Sequence, residues 1–98
     1  MTEQINDTNF FEKTNSGKIL VKFTADWCGP CKAMKPLLEE LSTEVDTVIA
    51  DLDVDSNPET TSKFGIRSIP TFILFDNGIQ RHKHVGAASK QQLLDILG

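Results

Sequence analysis

The sequence has few cysteines, no excess of basic residues and no long apolar run, and each shortage excludes a class of protein. Two cysteines among 98 residues are too few for a secreted domain that is built on disulfides. Fourteen acidic and ten basic side chains give a net charge of −4. This balance argues against nucleic acid or an anionic membrane surface as the partner. No apolar stretch approaches the roughly 20 residues of a membrane-spanning helix.

Targeting signals, repeats and linkers are also missing. The segment from Met1 to Asp7 lacks the basic and apolar regions of a signal peptide, so we expect a cytoplasmic protein. A chain of this length can bury enough apolar surface for one hydrophobic core. Because no linker-like stretch divides it, we expect residues 1–98 to form a single domain.

Hydrophobic patterning predicts an alternation of strands and helices. The predicted strands span residues 2–5, 18–24, 47–54, 71–75 and 79–85. Three helices are predicted from capping and proline signals: a short one between Asn6-Asp7-Thr8 and Asn15-Ser16-Gly17, one from the Asn57-Pro58-Glu59 cap to about Phe64, and one after the Ser89–Gln92 capping box. A long helix over residues 28–44 should be kinked by Pro36.

The order of these elements predicts an α/β fold. The strand over residues 18–24 is almost continuously apolar, which is typical of a strand that is covered on both faces. A helix joins it to the next strand, so these two strands should be parallel. Asn77-Gly78 predicts a tight hairpin between the last two strands. We therefore expect a central mixed sheet with helices on both faces.

The segment Trp27-Cys28-Gly29-Pro30-Cys31-Lys32 carries the chemical signal. Cys28 falls where a buried strand gives way to a helix, and the helix N-terminus should lower the pKa of its thiol. Cys31 lies one turn further on, so the two sulfur atoms can close a small disulfide ring. Gly29 keeps the approach to this ring open, and Pro30 stiffens it.

Three other interpretations of the cysteines remain open at this point. They could form a structural zinc site with His82 and His84, although 50 residues separate Cys31 from His82, which is unlike the usual zinc-finger spacings. They could be inert core residues, although the glycine-proline turn argues against that. The domain could also be a binding subunit that retains the pair without using it.

The hexapeptide Trp27–Lys32 resembles the signature of the thioredoxin family. The similarity covers nearly the whole chain. It continues at Ile19–Phe23, Pro36, Asp55, Asn57-Pro58, Phe64–Arg67, Ile69–Thr71, Phe75, Asn77-Gly78, Val85–Ala87 and Ser89-Lys90. The resemblance implies a thioredoxin fold and a redox-active Cys28–Cys31 disulfide.

The resemblance also implies a reaction and its partners. An exposed Cys28 would attack a substrate disulfide, and a more buried Cys31 would resolve the mixed disulfide that forms. The chain would bind no cofactor and no metal. Its electrons would come from NADPH through a flavoprotein thioredoxin reductase. We therefore expect a monomeric protein-disulfide reductase whose other partners are proteins with disulfides; a dithiol oxidant or isomerase is the enzymatic alternative.

A substrate groove follows from the same resemblance. Ile69-Pro70 resembles the cis-proline loop of the family, which turns its backbone toward a bound peptide so that the peptide can pair with it. The predicted substrate-binding residues are Trp27, Gly29, Pro30, Ile66, Ile69, Pro70, Gly86 and Ala87.

Lys22 and Asp51 are charges of opposite sign among the apolar residues of two strand-like runs. Buried lysine and aspartate are rare unless they are paired, and one crossover joins the two strands, so an ion pair is expected. Thioredoxins usually carry an aspartate in place of Lys22 and a lysine in place of Asp51, so this chain exchanges the two charges. The resemblance implies that Asp51 helps to deprotonate Cys31 through water while Lys22 keeps it ionised. The alternative is that both side chains reach solvent.

Overall fold

The protein has five strands, which form one sheet in the computed structural model of residues 1–98. They are β1 (Glu3–Ile5), β2 (Lys18–Thr24), β3 (Val48–Asp53), β4 (Thr71–Asp76) and β5 (Ile79–Val85). Their order across the sheet is β1-β3-β2-β4-β5. The strands β1, β3 and β2 are parallel, whereas β4 and β5 are added as antiparallel neighbours. The predicted mixed sheet is therefore confirmed.

Five helices cover this sheet. They are α1 (Phe10–Thr14), α2 (Gly29–Ala33), α3 (Lys35–Glu44), α4 (Pro58–Lys63) and α5 (Lys90–Leu97). On one face of the sheet, Leu38 of α3 and Leu93 of α5 pack against Leu20. On the other face, Phe10 of α1 packs with Phe75 of β4. Two apolar layers thus enclose β2 from both sides, which explains its nearly continuous hydrophobic run. None of the helices combines the length and the apolar character that a bilayer crossing requires.

The long helix that was predicted over residues 28–44 is wrong, because the structure has two helices that meet at Met34. Proline has no N–H to offer to the carbonyl four residues before it, and its ring collides with that carbonyl. Pro36 therefore prevents α2 from continuing past Ala33. The Met34 N–H turns to the Cys31 carbonyl, three residues back, at 3.2 Å. The break separates the short helix of the cysteines from α3.

The first helix begins later than the capping signal at Asn6-Asp7-Thr8 predicts. Asn6 and Asn9 close a turn, since each side-chain oxygen accepts from the backbone N–H of the other residue, at 2.9 and 2.8 Å. The helix α1 follows from Phe10. These polar residues therefore form a loop whose backbone groups are satisfied by side chains.

Asp7 caps a helix that lies far away in the sequence. Its carboxylate accepts from the backbone N–H groups of Glu59 and Thr60 at the start of α4, at 3.1 and 2.9 Å. Asn57 precedes α4 but makes no side-chain cap; its oxygen accepts from the Asp7 N–H at 2.8 Å. Asn57 therefore occupies the predicted N-cap position, but the charged Asp7 carboxylate accepts the N–H groups of the first turn in place of its side chain.

The hairpin between β4 and β5 turns at Asn77-Gly78, as predicted. Asn77 and Gly78 have φ values of 51° and 83°, and this left-handed backbone suits asparagine and glycine better than other residues. The Asn77 side chain also accepts from the Gly17 N–H at 2.8 Å, which joins the hairpin to the start of β2.

Candidate active site

The two cysteines lie at the N-terminal end of α2, immediately after the turn that follows β2. They are joined in a disulfide, with 5.3 Å between their Cα atoms. Cys28 is the N-cap residue, and its Sγ accepts a hydrogen bond from the Cys31 N–H at 3.1 Å. Pro30 stands in the first turn, where a backbone N–H is not needed. The sequence therefore places Cys28 correctly at the helix N-terminus.

Cys28 is less accessible than expected. It is 4% exposed, whereas Cys31 is completely buried. The predicted order of accessibility is right, but the expectation of an exposed Cys28 is wrong for the disulfide form. Ala25 packs beside the pair, and half-buried Val54 and Ile69 cover the resulting cluster. A partner would therefore reach Cys28 through a narrow opening in this apolar surface.

The loop before β4 lies against the cysteines. The Ile69–Pro70 peptide bond is cis, as expected. Ile69 packs on the cysteine cluster, and the Pro70 carbonyl accepts from the Gly86 N–H at 2.8 Å. The backbone N–H and carbonyl of Ile69 make no hydrogen bond within the chain. The structure thus brings Ile69, Pro70 and Gly86 together beside the disulfide. The backbone N–H and carbonyl of Ile69 remain available to a partner.

Trp27 is held in place by an aspartate that sequence reasoning did not assign to the site. The indole is 69% exposed, and its Nε1–H donates to Asp55 Oδ2 at 2.8 Å. Asp55 lies in the turn after β3, where its own N–H donates to Asp53 Oδ1 at 2.8 Å. No local sequence pattern connects residues that lie 28 positions apart, so only the fold reveals this contact.

The remaining residues predicted for the groove differ in their surroundings. Gly29 and Pro30 are exposed, and a Cβ added to Gly29 would meet no protein atom within 4 Å. Its lack of a side chain therefore matters only to a molecule that approaches from outside. Ala87 is exposed, whereas half-buried Ile66 packs against the apolar layer below α1 and α4. Ile66 therefore has a packing role as well.

Lys22 and Asp51 form the predicted ion pair. They occupy opposed positions on β2 and β3, and Lys22 Nζ lies 3.5 Å from Asp51 Oδ1. Lys22 is completely buried and Asp51 is 6% exposed, so the alternative in which both reach solvent is wrong. Lys22 Nζ also donates to the Cys31 carbonyl at 3.3 Å. The pair is therefore connected to the backbone of the second cysteine.

The surroundings of this pair act on both charges. Burial lowers the pKa of Lys22, the Asp51 carboxylate opposes this effect, and the charge of Lys35 adds to it, so the pKa lies below its usual range. Gln4 Nε2 donates to Asp51 Oδ2 at 3.2 Å, whereas the buried Oδ1 accepts no hydrogen bond. The carboxylate therefore keeps one oxygen, Oδ1, that faces the Lys22 ammonium group without accepting a hydrogen bond.

The two histidines of the zinc alternative lie on β5, at the edge of the sheet. His82 is exposed, and His84 is half-buried with its Nε2 3.3 Å from the Ala87 carbonyl. Both cysteines are bonded to each other instead. No three His, Cys, Asp or Glu side chains come together as a possible metal site.

Comparisons with known proteins agree with this geometry. The Thioredoxin family model matches residues 1–98. Thioredoxin from Staphylococcus haemolyticus is 47% identical over 96 residues, which cover 96% of this chain and 92% of the relative. Thioredoxin from Chlamydia muridarum is 41% identical over 98 residues, covering 99% and 96%. A solved mutant thioredoxin from Halobacterium salinarum superimposes with a TM-score of 0.90 at 33% identity, covering 97% of this chain and 86% of the other.

Proposed function

Because the chain belongs to the thioredoxin family and is a dithiol–disulfide oxidoreductase that reduces protein disulfides, we propose that Cys28 is its nucleophile and Cys31 its resolving cysteine. One observation carries this assignment. Cys28 is the N-cap of α2, and its sulfur already accepts a backbone N–H, which favours a thiolate over a thiol. Cys31 has no exposed surface through which it could meet a protein disulfide.

The reaction consists of two exchanges. The Cys28 thiolate attacks one sulfur of the substrate disulfide, and the other substrate sulfur leaves with the electron pair and takes up a proton. The Cys31 thiolate then attacks Cys28, releases the second substrate thiol and closes the Cys28–Cys31 disulfide. The dithiol loses two electrons and the substrate disulfide gains them.

The substrate peptide binds in a shallow groove beside the disulfide in this proposal. Ile69 supports it, because its unpaired backbone N–H and carbonyl can pair with an extended peptide as an added strand does. The exposed Trp27 ring offers a flat apolar contact whose position Asp55 fixes. The groove comprises Trp27, Gly29, Pro30, Ile66, Ile69, Pro70, Gly86 and Ala87.

Lys22 and Asp51 have catalytic roles in the same proposal. Asp51 accepts the proton of Cys31 through water, and Lys22 keeps the carboxylate ionised between turnovers. The contacts that support this are the 3.5 Å approach of the two charges and the hydrogen bond from Lys22 to the Cys31 carbonyl. A buried lysine without the aspartate would destabilise the fold, so a substitution at one of the two positions should require a matching substitution at the other.

The protein that recycles the disulfide is a flavoprotein thioredoxin reductase, and the electrons come from NADPH. The chain itself binds no cofactor in this cycle. It works as a single domain and a monomer in the cytoplasm. The family match over all 98 residues and the single sheet support one domain.

A coupled assay tests the proposed function. The protein is mixed with insulin, NADPH and a thioredoxin reductase, and NADPH oxidation is followed by absorbance. We expect sustained oxidation that depends on all three components and that stops when Cys28 is replaced by serine. No NADPH oxidation by the native protein above that of the reductase alone would favour instead a binding subunit that does not use the pair.

A further inference from the structure

A second opening, separate from the proposed substrate groove, lies between β1 and α3. This cleft has a volume of about 220 Å³. Its lining residues are Thr2, Gln4, Lys22, Lys35, Leu38, Glu39 and Asp51. Both members of the buried ion pair belong to its wall, and none of the proposed groove residues does. Asp51, which is 6% exposed, can therefore be reached from this cleft without passing through the groove.

Cys31 depends on internal groups to exchange its proton, because it has no exposed surface. Lys22 connects Cys31 with Asp51. Its ammonium group donates to the Cys31 carbonyl at 3.3 Å and lies 3.5 Å from Asp51 Oδ1. A water molecule occupies about 30 Å³ in the liquid, so the cleft beyond Asp51 has room for several. The polar groups thus run from the backbone of Cys31 to the outer surface.

Gln4 determines which oxygen of Asp51 remains without a hydrogen bond. Its Nε2 donates to Oδ2 at 3.2 Å, and Oδ1 is left buried without a hydrogen bond on the side of Lys22. Gln4 itself lies on the edge strand β1 and is exposed to solvent. It can therefore hold the carboxylate in one orientation while the cleft stays open to water.

We propose that the cleft between β1 and α3 is the path by which the proton of Cys31 reaches solvent, and that Gln4 is a positioning residue for Asp51 on this path. The proposal rests on the proposed function, in which Asp51 accepts that proton. A protein substrate that is bonded to Cys28 covers the groove at the moment when Cys31 must ionise. A separate path keeps proton transfer possible at that moment.

The step balances as follows. The S–H bond of Cys31 breaks, and its proton passes through water to the Asp51 carboxylate and from there to water in the cleft. The Cys31 thiolate forms a bond to the Cys28 sulfur, and the bond from Cys28 to the substrate sulfur breaks. The substrate sulfur leaves with that electron pair and takes up a proton.

The charged groups that face Asp51 are few. Lys22 faces it from β2, and Lys35 and Glu39 line the cleft from α3. The N-terminal segment contributes the neutral side chains of Thr2 and Gln4. A change of pH dependence in a Gln4 variant therefore arises from the contact with the carboxylate and not from a removed charge.

The test compares Gln4→Met with Glu3→Met, a matched control on the same strand whose side chain pairs with Lys13 instead. A dithiobis-nitrobenzoate probe releases one coloured thiolate when Cys28 attacks and a second when Cys31 resolves the adduct, so stopped-flow absorbance separates the two steps. We expect the acid limb of the second step in Gln4→Met to move about one pH unit upward, because the ionised carboxylate loses a donor. The first step and the control should keep their native profiles.

A second variant tests the path itself. Thr2→Trp places a large ring in the cleft, and it should slow the second step at least about tenfold at neutral pH without affecting the first. Asp51→Asn separates the two proposals. If it slows the second step while Gln4→Met and Thr2→Trp behave as the native protein does, the path is wrong and the proposed function stands. If Asp51→Asn leaves the second step unchanged, the role of Asp51 fails and the path with it.

Discussion

Lys22 and Asp51 occupy directly opposed positions on β2 and β3, and their charged atoms lie 3.5 Å apart with almost no exposure to solvent. The two side chains therefore stabilise each other where neither could remain charged alone. An aspartate in place of Lys22 alone would set two like charges side by side. Exchanging both charges preserves the ion pair, and only the strand that carries each charge differs.

This contact predicts strong coupling in a double-mutant cycle. Lys22→Asp should destabilise the protein by several kcal/mol, because it removes the cation that pairs with a buried carboxylate and places a second carboxylate beside it. Adding Asp51→Lys should restore much of the loss. The free energy of unfolding in urea measures each variant.

The exposed pair of Glu3 and Lys13 is the matched control. Its charged atoms lie 3.3 Å apart but in contact with water, so exchanging these two residues should show a coupling below about 1 kcal/mol. A coupling for Lys22 and Asp51 that is no larger than about 0.5 kcal/mol, as for independent sites, would refute the pair.

The contact between Trp27 and Asp55 predicts an effect on substrate binding. Asp55→Ala frees the indole N–H, and the Michaelis constant for a protein disulfide should rise about two- to tenfold while the turnover number changes less. Trp27 is the single tryptophan of the chain, so its fluorescence anisotropy should fall as the ring gains freedom. Asp26→Ala is the control, because Asp26 is adjacent to Trp27 in the sequence and exposed as Asp55 is, but it accepts no hydrogen bond from the indole. Equal kinetic effects of the two substitutions would show that Asp55 has no special role.

The cap that Asp7 provides to α4 predicts a pH-dependent loss of stability. Partial burial tends to raise the pKa of Asp7, but its hydrogen bonds from Thr60 and Glu59 outweigh this and lower it below 3.8. A lowered carboxyl pKa stabilises the fold above the unfolded value, and the gain disappears as pH falls through the folded value.

Asp7→Ala should therefore lower the melting temperature at neutral pH, and its difference from the native protein should shrink as pH falls below about 4 and through the pKa of Asp7 in the folded protein. Thermal unfolding followed by circular dichroism at several pH values measures this difference. Asp46→Ala, an exposed aspartate that accepts no hydrogen bond, should have little effect at any pH. A pH-independent deficit in Asp7→Ala would contradict a charged cap.

Local patterns were sufficient to predict the strands and the position of the cysteines. The bounds of β2 and β5 match the predicted ranges, because apolar runs and the Asn77-Gly78 turn are short-range signals. The break at Met34 was missed, because Pro36 ends one helix instead of bending a continuous one. Contacts between loops that lie far apart in the sequence were not predicted and became visible only in the folded structure.

Long-range contacts between strands and those between loops differ in how well the sequence predicts them. The pairing of Lys22 with Asp51 was predicted, since one charge in the apolar middle of each of two neighbouring strands leaves few other partners. The cap from Asp7 to α4 and the bond from Trp27 to Asp55 join loops, where no periodicity constrains which side chains meet. Their partners lie 52 and 28 positions away in the sequence.

The most direct test of the account is to identify the cysteine that bonds to a substrate. Cys31→Ser and Cys28→Ser variants are incubated with a protein that contains a disulfide, and the adducts are mapped by mass spectrometry after digestion without reductant. We expect Cys31→Ser to accumulate a mixed disulfide through Cys28, because the resolving thiol is absent. Cys28→Ser should accumulate none, since Cys31 is completely buried. Stable adducts through Cys31, with none through Cys28, would contradict the assignment of nucleophile and resolving cysteine.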